Sequence, residues 1–153
     1  MIDDTDRKYL QRCVDLASEA LDRGNEPFGS VLVSSEGEVL FEDYNRIGGG
    51  DHTQHPEFAI ARWAANNMDV QDRAKATVYT SGEHCPMCAA AIGFARIGRL
   101  YFGADDPKSG GVRHGPRIYS HPQAHHGPEV YEGIGAAESA ALLRDFFAAR
   151  RGS

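Results

Sequence analysis

An α/β domain, with helices layered on a sheet, is the fold class that this sequence predicts. Segments with strand-like apolar runs alternate along the chain with segments whose apolar residues recur near every 3.6 positions, a pattern typical of layered α/β folds. The length of 153 residues is enough for one substantial hydrophobic core. With 41% hydrophobic and 25% charged residues, the composition is that of a soluble globular protein. We therefore expect residues 1–153 to form a single domain.

The first third of the chain predicts one helix followed by two strands. Residues 5–23 carry apolar side chains at helical spacing, and Gly24 follows as a stop signal. Residues 28–33 and 38–44 predict two strands, joined by a turn at residues 34–37.

The middle of the chain predicts a loop, two helices and two strands. The loop covers residues 47–54, the helices residues 56–67 and 86–96, and the strands residues 76–80 and 99–103. Both helices open with a proline, which is favourable at the first helical position because no hydrogen bond is lost there.

The last third of the chain is harder to interpret. Residues 104–135 are rich in Gly, Pro and His and predict no regular element. Residues 136–151 predict a closing helix, whose core-facing side chains would be Leu142, Leu143, Phe146 and Phe147.

The charge balance favours a small substrate over a polymer. Sixteen Lys and Arg residues stand against twenty-two Asp and Glu residues, which gives a net charge of −6. Nucleic-acid binding usually depends on a basic surface that neutralises phosphates, so we expect nucleic acid to be an improbable partner. The N-terminus is polar and eighteen consecutive apolar residues do not occur, so we expect a cytoplasmic protein without a membrane span.

Two helix starts supply a predicted zinc site. The chain has three cysteines, and we expect no export signal. A disulfide is then improbable, and the two cysteines that lie close together in the sequence indicate a metal or redox role. Cys85 and Cys88 form a C-x-x-C pair at one helix start, and His55 lies at another. One imidazole and two thiolates suit zinc, and three protein ligands leave a fourth position for water, as in catalytic sites.

Glu57 lies two residues beyond His55, at the same helix tip. Zinc in such a site activates a water molecule near neutral pH. We expect Glu57 to act as general base toward that water and then to return the proton to a leaving amine. Two alternatives stay open at this point: a redox cysteine pair, or a structural zinc site with His52 or His84 as fourth ligand.

Taken together, these motifs resemble the cytidine deaminase superfamily. The resemblance rests on residues 27–29, 55–57, 79–88 and 95–96 and on Asn45, and it is strongest to the guanine deaminase, cytosine deaminase and tRNA adenosine deaminase group. It implies a three-layer α/β/α fold around a five-stranded mixed sheet, one zinc ion per subunit and usually a homodimer.

The resemblance also implies roles for single residues. The predicted ligands His55, Cys85 and Cys88 would hold zinc, and Glu57 would move protons. Asn45 would hydrogen-bond the polar edge of the substrate ring; the alternative is a turn residue at a strand end.

Two more residues are candidates for substrate contact. Phe28 would form a wall of the pocket, or else belong to the core. His84 stands where the family usually has proline, so it is a candidate for contact with substrate; the alternative is an exposed loop histidine.

The predicted function is therefore hydrolytic deamination of a free nucleobase or a related amino-substituted ring, such as guanine, cytosine or an amino-triazine. The alternatives are a tRNA adenosine deaminase and a non-catalytic, zinc-stabilised module. Guanine deaminases carry an acidic residue in the loop after the strand that follows the C-x-x-C helix, whereas residues 110–116 read GGVRHGP here.

Overall fold

The computed structural model describes residues 3–121 and 126–132, together with Ala137, Ala140, Ala141, Arg144, Asp145 and Ala148. Within these residues a five-stranded mixed sheet forms the centre of the molecule. Its strands are β1 (Gly29–Val33), β2 (Val39–Tyr44), β3 (Thr77–Gly82), β4 (Arg99–Ala104) and β5 (Glu129–Glu132). Four α-helices are described over their full length: α1 (Asp4–Asp22), α2 (Pro56–Asn67), α3 (Val70–Lys75) and α4 (Pro86–Phe94).

The strands are ordered β2-β1-β3-β4-β5 across the sheet. Strand β1 is antiparallel to both β2 and β3, while β3, β4 and β5 are parallel to one another. The start of β1 therefore lies at the same edge of the sheet as the carboxyl ends of β3 and β4. The carboxyl ends of parallel strands are the usual place for a ligand site in α/β sheets, and the candidate site lies at this edge.

Helices cover both faces of the sheet, because successive strand residues point to opposite sides. On one face, Leu10 and Cys13 of α1 pack with Val31 and Tyr79. On the other face, α2 and α4 pack over the sheet through a second buried cluster that includes Leu32, Val78, Leu100, Ile60 and Ile92. The predicted three-layer α/β/α fold with a five-stranded mixed sheet is confirmed.

Two described elements were not predicted from the sequence. Helix α3 contains no buried residue, so it lacks the apolar periodicity on which the prediction depends. Strand β5 is four residues long, is an edge strand and has only exposed or half-buried positions. Its place is therefore set by pairing with β4 rather than by local pattern, whereas α3 begins at the local N-cap residue Asp69.

The predicted closing helix over residues 136–151 is described only in part. The described positions between 137 and 148 are helical, whereas Leu142, Leu143, Phe146 and Phe147 lie outside the described residues. Among the helices that the structure describes, none has both the length and the apolar character needed to cross a membrane.

Candidate active site

The three predicted zinc ligands lie at the N-termini of α2 and α4. His55 is the N-cap residue of α2 and Cys85 that of α4, each with extended backbone and each followed by a proline. Neither side chain makes a capping hydrogen bond, so both are available as ligands. Because α2 and α4 pack against each other, their N-termini meet, and Cys88 joins them from the first turn of α4.

The distances among the three ligand atoms fit a tetrahedral zinc ion. The Nδ1 atom of His55 lies 3.6 Å from Sγ of Cys85 and 3.5 Å from Sγ of Cys88. Ordinary zinc–nitrogen and zinc–sulfur bonds at a tetrahedral angle require a nitrogen–sulfur separation of about 3.6 Å. His55 is therefore at the distance from each sulfur that a shared zinc ion requires, and the three ligand atoms lie within 4.8 Å of one another.

Among the described residues, the metal-binding group contains His55, Cys85 and Cys88 and no fourth protein ligand. Neither His52 nor His84 belongs to it, which argues against a closed structural zinc site. Its hydrogen bond with Cys88 and, to a smaller extent, its hydrogen bond with His55 lower the pKa of Cys85 to about 4. The thiolate form that binds metals is thereby favoured.

Glu57 lies in the first turn of α2 and is only 5% exposed. Its Oε1 atom is 3.1 Å from the hydroxyl of Ser30 on β1, which is itself 2.8 Å from the hydroxyl of Thr80 on β3. Burial raises the pKa of Glu57 to about 7. A carboxyl group with a pKa near neutrality is suited both to accept and to return a proton.

A cavity opens directly above these residues. Its lining includes Glu57 and Cys85 from the helix starts, Phe28 from the segment before β1, and Asp106 and Ser109 from the loop after β4. Two of the candidate zinc ligands, His55 and Cys85, therefore share one partly enclosed space with the carboxylate and an aromatic ring. Such a concave site, with few polar groups converging on it, is typical of a small-ring binding pocket.

The three predicted substrate contacts have different positions. Phe28 lines the cavity. Asn45 is buried, and its side-chain oxygen accepts a hydrogen bond from the backbone N–H of Ile47 at 3.1 Å. His84 is completely buried and is not among the cavity-lining residues that the structure describes, so the alternative of an exposed loop histidine is wrong. The roles of Phe28, Asn45 and His84 in substrate binding stay predictions.

His84 is also unusual in its surroundings. Within the described part of the chain, neither of its ring nitrogens has a hydrogen-bonding partner. Burial lowers the pKa of His84 to about 3, so its imidazole is neutral at physiological pH.

Glu26, Glu83 and Ser109 line the cavity but were not predicted as site residues. Glu83 carries a sequence signal, since it lies inside the motif between β3 and Cys85. Glu26 and Ser109 lie in loops, where no periodicity indicates which way a side chain points.

The fold and this site together define a zinc-dependent deaminase of the cytidine deaminase superfamily. Residues 3–104 match the family model of the cytidine and deoxycytidylate deaminase zinc-binding region, and the chain belongs to this family. The prediction of a zinc cofactor is thereby confirmed, and the chain is assigned to the zinc-dependent hydrolytic deaminases.

The chain is also similar to individual proteins and solved structures. The chain is 45% identical over 144 residues to a tRNA-specific adenosine deaminase of Agrobacterium fabrum, covering 94% of each chain. A solved structure from work on A-to-I editing by tRNA:A34 deaminases superimposes with a TM-score of 0.81 and 41% identity, covering 89% of this chain and 99% of that one. The guanine deaminase of Nitrosomonas europaea shares the fold, with a TM-score of 0.72 at 17% identity over 93% of this chain and 84% of that one.

These comparisons contradict two predictions. The prediction of a free nucleobase or amino-triazine substrate is wrong, because the relatives with high identity over nearly the whole chain are tRNA-specific adenosine deaminases. The prediction that nucleic acid is an improbable partner is wrong for the same reason. Net charge is a sum over the whole surface, whereas binding depends on the local potential near the site. The predicted homodimer stays a prediction.

Proposed function

We propose that this protein is a tRNA adenosine deaminase, which converts adenosine in tRNA to inosine. The observation that carries the proposal is the 45% identity over 94% of both chains to a tRNA-specific adenosine deaminase. The similarity to a structure from work on tRNA:A34 deaminases supports the wobble position as the target. A tRNA substrate also agrees with the cytoplasmic location expected from the sequence.

The reaction is a hydrolysis at C6 of the adenine ring. Water supplies the new C6–O bond, the C6–N6 bond breaks, and ammonia leaves. His55, Cys85 and Cys88 would hold a zinc ion, which would supply the Lewis acidity that activates water near neutral pH. Glu57 carries the two protons of that water one after the other: the first goes to the ring nitrogen N1, and the second, from the new C6 hydroxyl, goes to the leaving amine. The neighbouring hydroxyl of Ser30 holds the Glu57 carboxylate in place.

The lining of the cavity suits a nucleobase that is unstacked from its neighbours. Base deaminases act on unpaired or extruded nucleotides, which they hold by stacking and by hydrogen bonds to the base edge. Phe28 offers an aromatic surface at the cavity wall, and the acidic lining residues Glu26 and Asp106 can accept hydrogen bonds from amino or hydroxyl groups. An unpaired nucleotide of the anticodon loop meets this requirement without the energy cost of opening a duplex.

The direct test compares two tRNA transcripts that differ only at position 34, with adenosine in one and guanosine in the other. Purified zinc-loaded protein is expected to form inosine in the first and none in the second, measured by nuclease digestion and mass spectrometry of the nucleosides. Free guanine, cytosine and an amino-triazine are expected to release no ammonia. Ammonia from a free base without inosine in tRNA would refute the proposal.

Binding to tRNA also predicts a salt dependence that a free base would not show. If about three phosphates are contacted, raising the salt from 50 to 200 mM weakens binding by about 20- to 40-fold. Lys108 is an exposed cation beside the cavity residues Asp106 and Ser109. We expect Lys108→Ala to raise KM for tRNA and to reduce the slope of log KM against log salt by about one.

Lys75 provides the matched control. It is also an exposed lysine, but it closes α3 just before β3 begins, at the opposite edge of the sheet from the cavity. Lys75→Ala should leave KM and its salt slope unchanged. Equal effects of the two substitutions, or a KM that does not respond to salt in the wild-type protein, would contradict the expected position of the tRNA backbone.

A further inference from the structure

Glu83 is a buried carboxylate between a strand end and a zinc ligand. It follows the last residue of β3, stands two residues before Cys85, and its side chain has no exposed surface. Removing a carboxylate from water is costly unless other groups replace the lost hydration. Its hydrogen-bonding partners therefore indicate what it does.

Within the described residues, the hydrogen-bonding partners of its side chain all belong to the loop that follows β4. One carboxylate oxygen accepts hydrogen bonds from the backbone N–H groups of Val112 at 3.2 Å, Arg113 at 2.9 Å and His114 at 3.0 Å. The other accepts from the N–H of Asp106 at 3.3 Å and lies 2.7 Å from Nδ1 of His114. Five donors from residues 106–114 thus converge on one carboxylate.

These contacts replace the hydration that burial removes from the carboxylate. Four backbone N–H groups and the ring nitrogen of His114 surround its two oxygens. Hydrogen bonds to a carboxylate are about twice as strong as those between neutral groups, so Glu83 is a strong anchor for this loop.

Two glycines let the loop approach the zinc-ligand turn closely. A Cβ atom on Gly110 would lie 2.3 Å from the Oε2 atom of Glu83, and one on Gly111 would lie 2.7 Å from the N and Cα atoms of Pro86. The N–H of Gly111 also donates to the carbonyl of His84 at 2.7 Å. The loop is therefore in contact with the chain on both sides of Cys85.

The same loop supplies Asp106 and Ser109 to the cavity wall. We propose that Glu83 is a positioning residue that holds the loop of residues 106–114 against the zinc-ligand turn, so that Asp106 and Ser109 form the wall that contacts the substrate. Glu83 thereby couples the metal site to substrate recognition without touching the reacting atoms. The substrate measurements below rest on the proposed function; the exchange measurements do not.

Glu83→Gln is the first test, because glutamine keeps the size but loses the charge and places an amide N–H₂ among N–H donors. We expect zinc content to stay at one per chain and kcat/KM for A34 tRNA to fall about 10²-fold, mainly through KM. Hydrogen exchange of the amides of Val112, Arg113 and His114 should become faster. The matched control is Asp69→Asn, an acid-to-amide change at the N-cap of α3, which should change none of these quantities.

Gly110→Ala tests the same contact with Glu83 intact, since the added methyl group displaces the loop from the carboxylate. It should reproduce the rise in KM and the faster exchange of residues 112–114. Unchanged KM and exchange in both variants would overturn the proposal. So would loss of zinc and of folded protein in Glu83→Gln together with wild-type behaviour of Gly110→Ala, because Glu83 would then be only structural. If the wild type fails to act on tRNA, the proposed function fails, while the exchange data still decide the role of Glu83.

Discussion

Glu57→Gln is expected to lower kcat on A34 tRNA by about 10³-fold or more while leaving the zinc site occupied. General acid–base catalysis by a positioned side chain contributes typically about 10²–10⁴-fold, and here one carboxyl group serves as both base and acid. Glutamine matches glutamate in shape and can keep the hydrogen bond with Ser30, but it cannot accept the proton. Because Glu57 does not belong to the metal-binding group, its replacement leaves the three zinc ligands intact.

The measurement is single-turnover inosine formation, with zinc determined by mass spectrometry and folding by thermal denaturation. The control is Glu42→Gln, which removes a carboxylate from a surface ion pair with Arg12 and should leave kcat unchanged. Activity of Glu57→Gln within tenfold of the wild type, at full zinc content, would exclude Glu57 as the proton carrier. Parallel loss of zinc and of the thermal transition would instead favour a structural role for this residue.

The sequence predicted the fold well where local pattern and tertiary position agree. Helices α1, α2 and α4 have either clear apolar periodicity or an opening proline, and strand β1 is buried throughout. The resemblance implied a five-stranded mixed sheet but not the order of its strands, and spacing along the chain does not determine that order. Strand β5 was missed because its four residues are only exposed or half-buried and show no strand-like alternation.

The candidate zinc ligands could be named from the sequence because they occupy positions within short motifs. A C-x-x-C pair at a helix start and a histidine at another helix start bring their ligand atoms together wherever the two helices pack side by side. Glu83 is a different case. Its partners are backbone amides 23–31 residues further along the chain, so only the folded loop reveals its role.

The substrate class was predicted wrongly because the prediction used the net charge of the chain and not the distribution of charge over its surface. The net charge of −6 includes acidic residues on every surface of the molecule. At the cavity itself, the acidic lining residue Asp106 is followed two positions later by the exposed cation Lys108. A local pair of this kind can serve base and phosphate contacts separately, which the overall charge cannot indicate.

Removal of zinc is expected to abolish deamination and to lower thermal stability together. A ligand that binds only the folded state stabilises it by about 2.7 kcal/mol at a free concentration of 100 Kd. For a domain of this size, that corresponds to a fall in Tm of about 5–11 °C after treatment with a strong chelator. Activity should return when zinc is added back, because Nδ1 of His55 already lies at a distance from both sulfur atoms that a shared zinc ion requires.

Cys88→Ala tests the same zinc site by removing one of its ligands instead of the metal. It should lose zinc and activity, and its Tm should no longer respond to the chelator, since the metal contribution is already gone. Cys13→Ala is the matched control: Cys13 is completely buried between α1 and the sheet, so the substitution costs about 1 kcal/mol of packing but keeps zinc, activity and the chelator response. If the chelator lowers the Tm of Cys88→Ala as much as that of the wild type, the metal is bound elsewhere. The three-ligand site at the starts of α2 and α4 would then be wrong, and the assignment of Glu57 would fail with it.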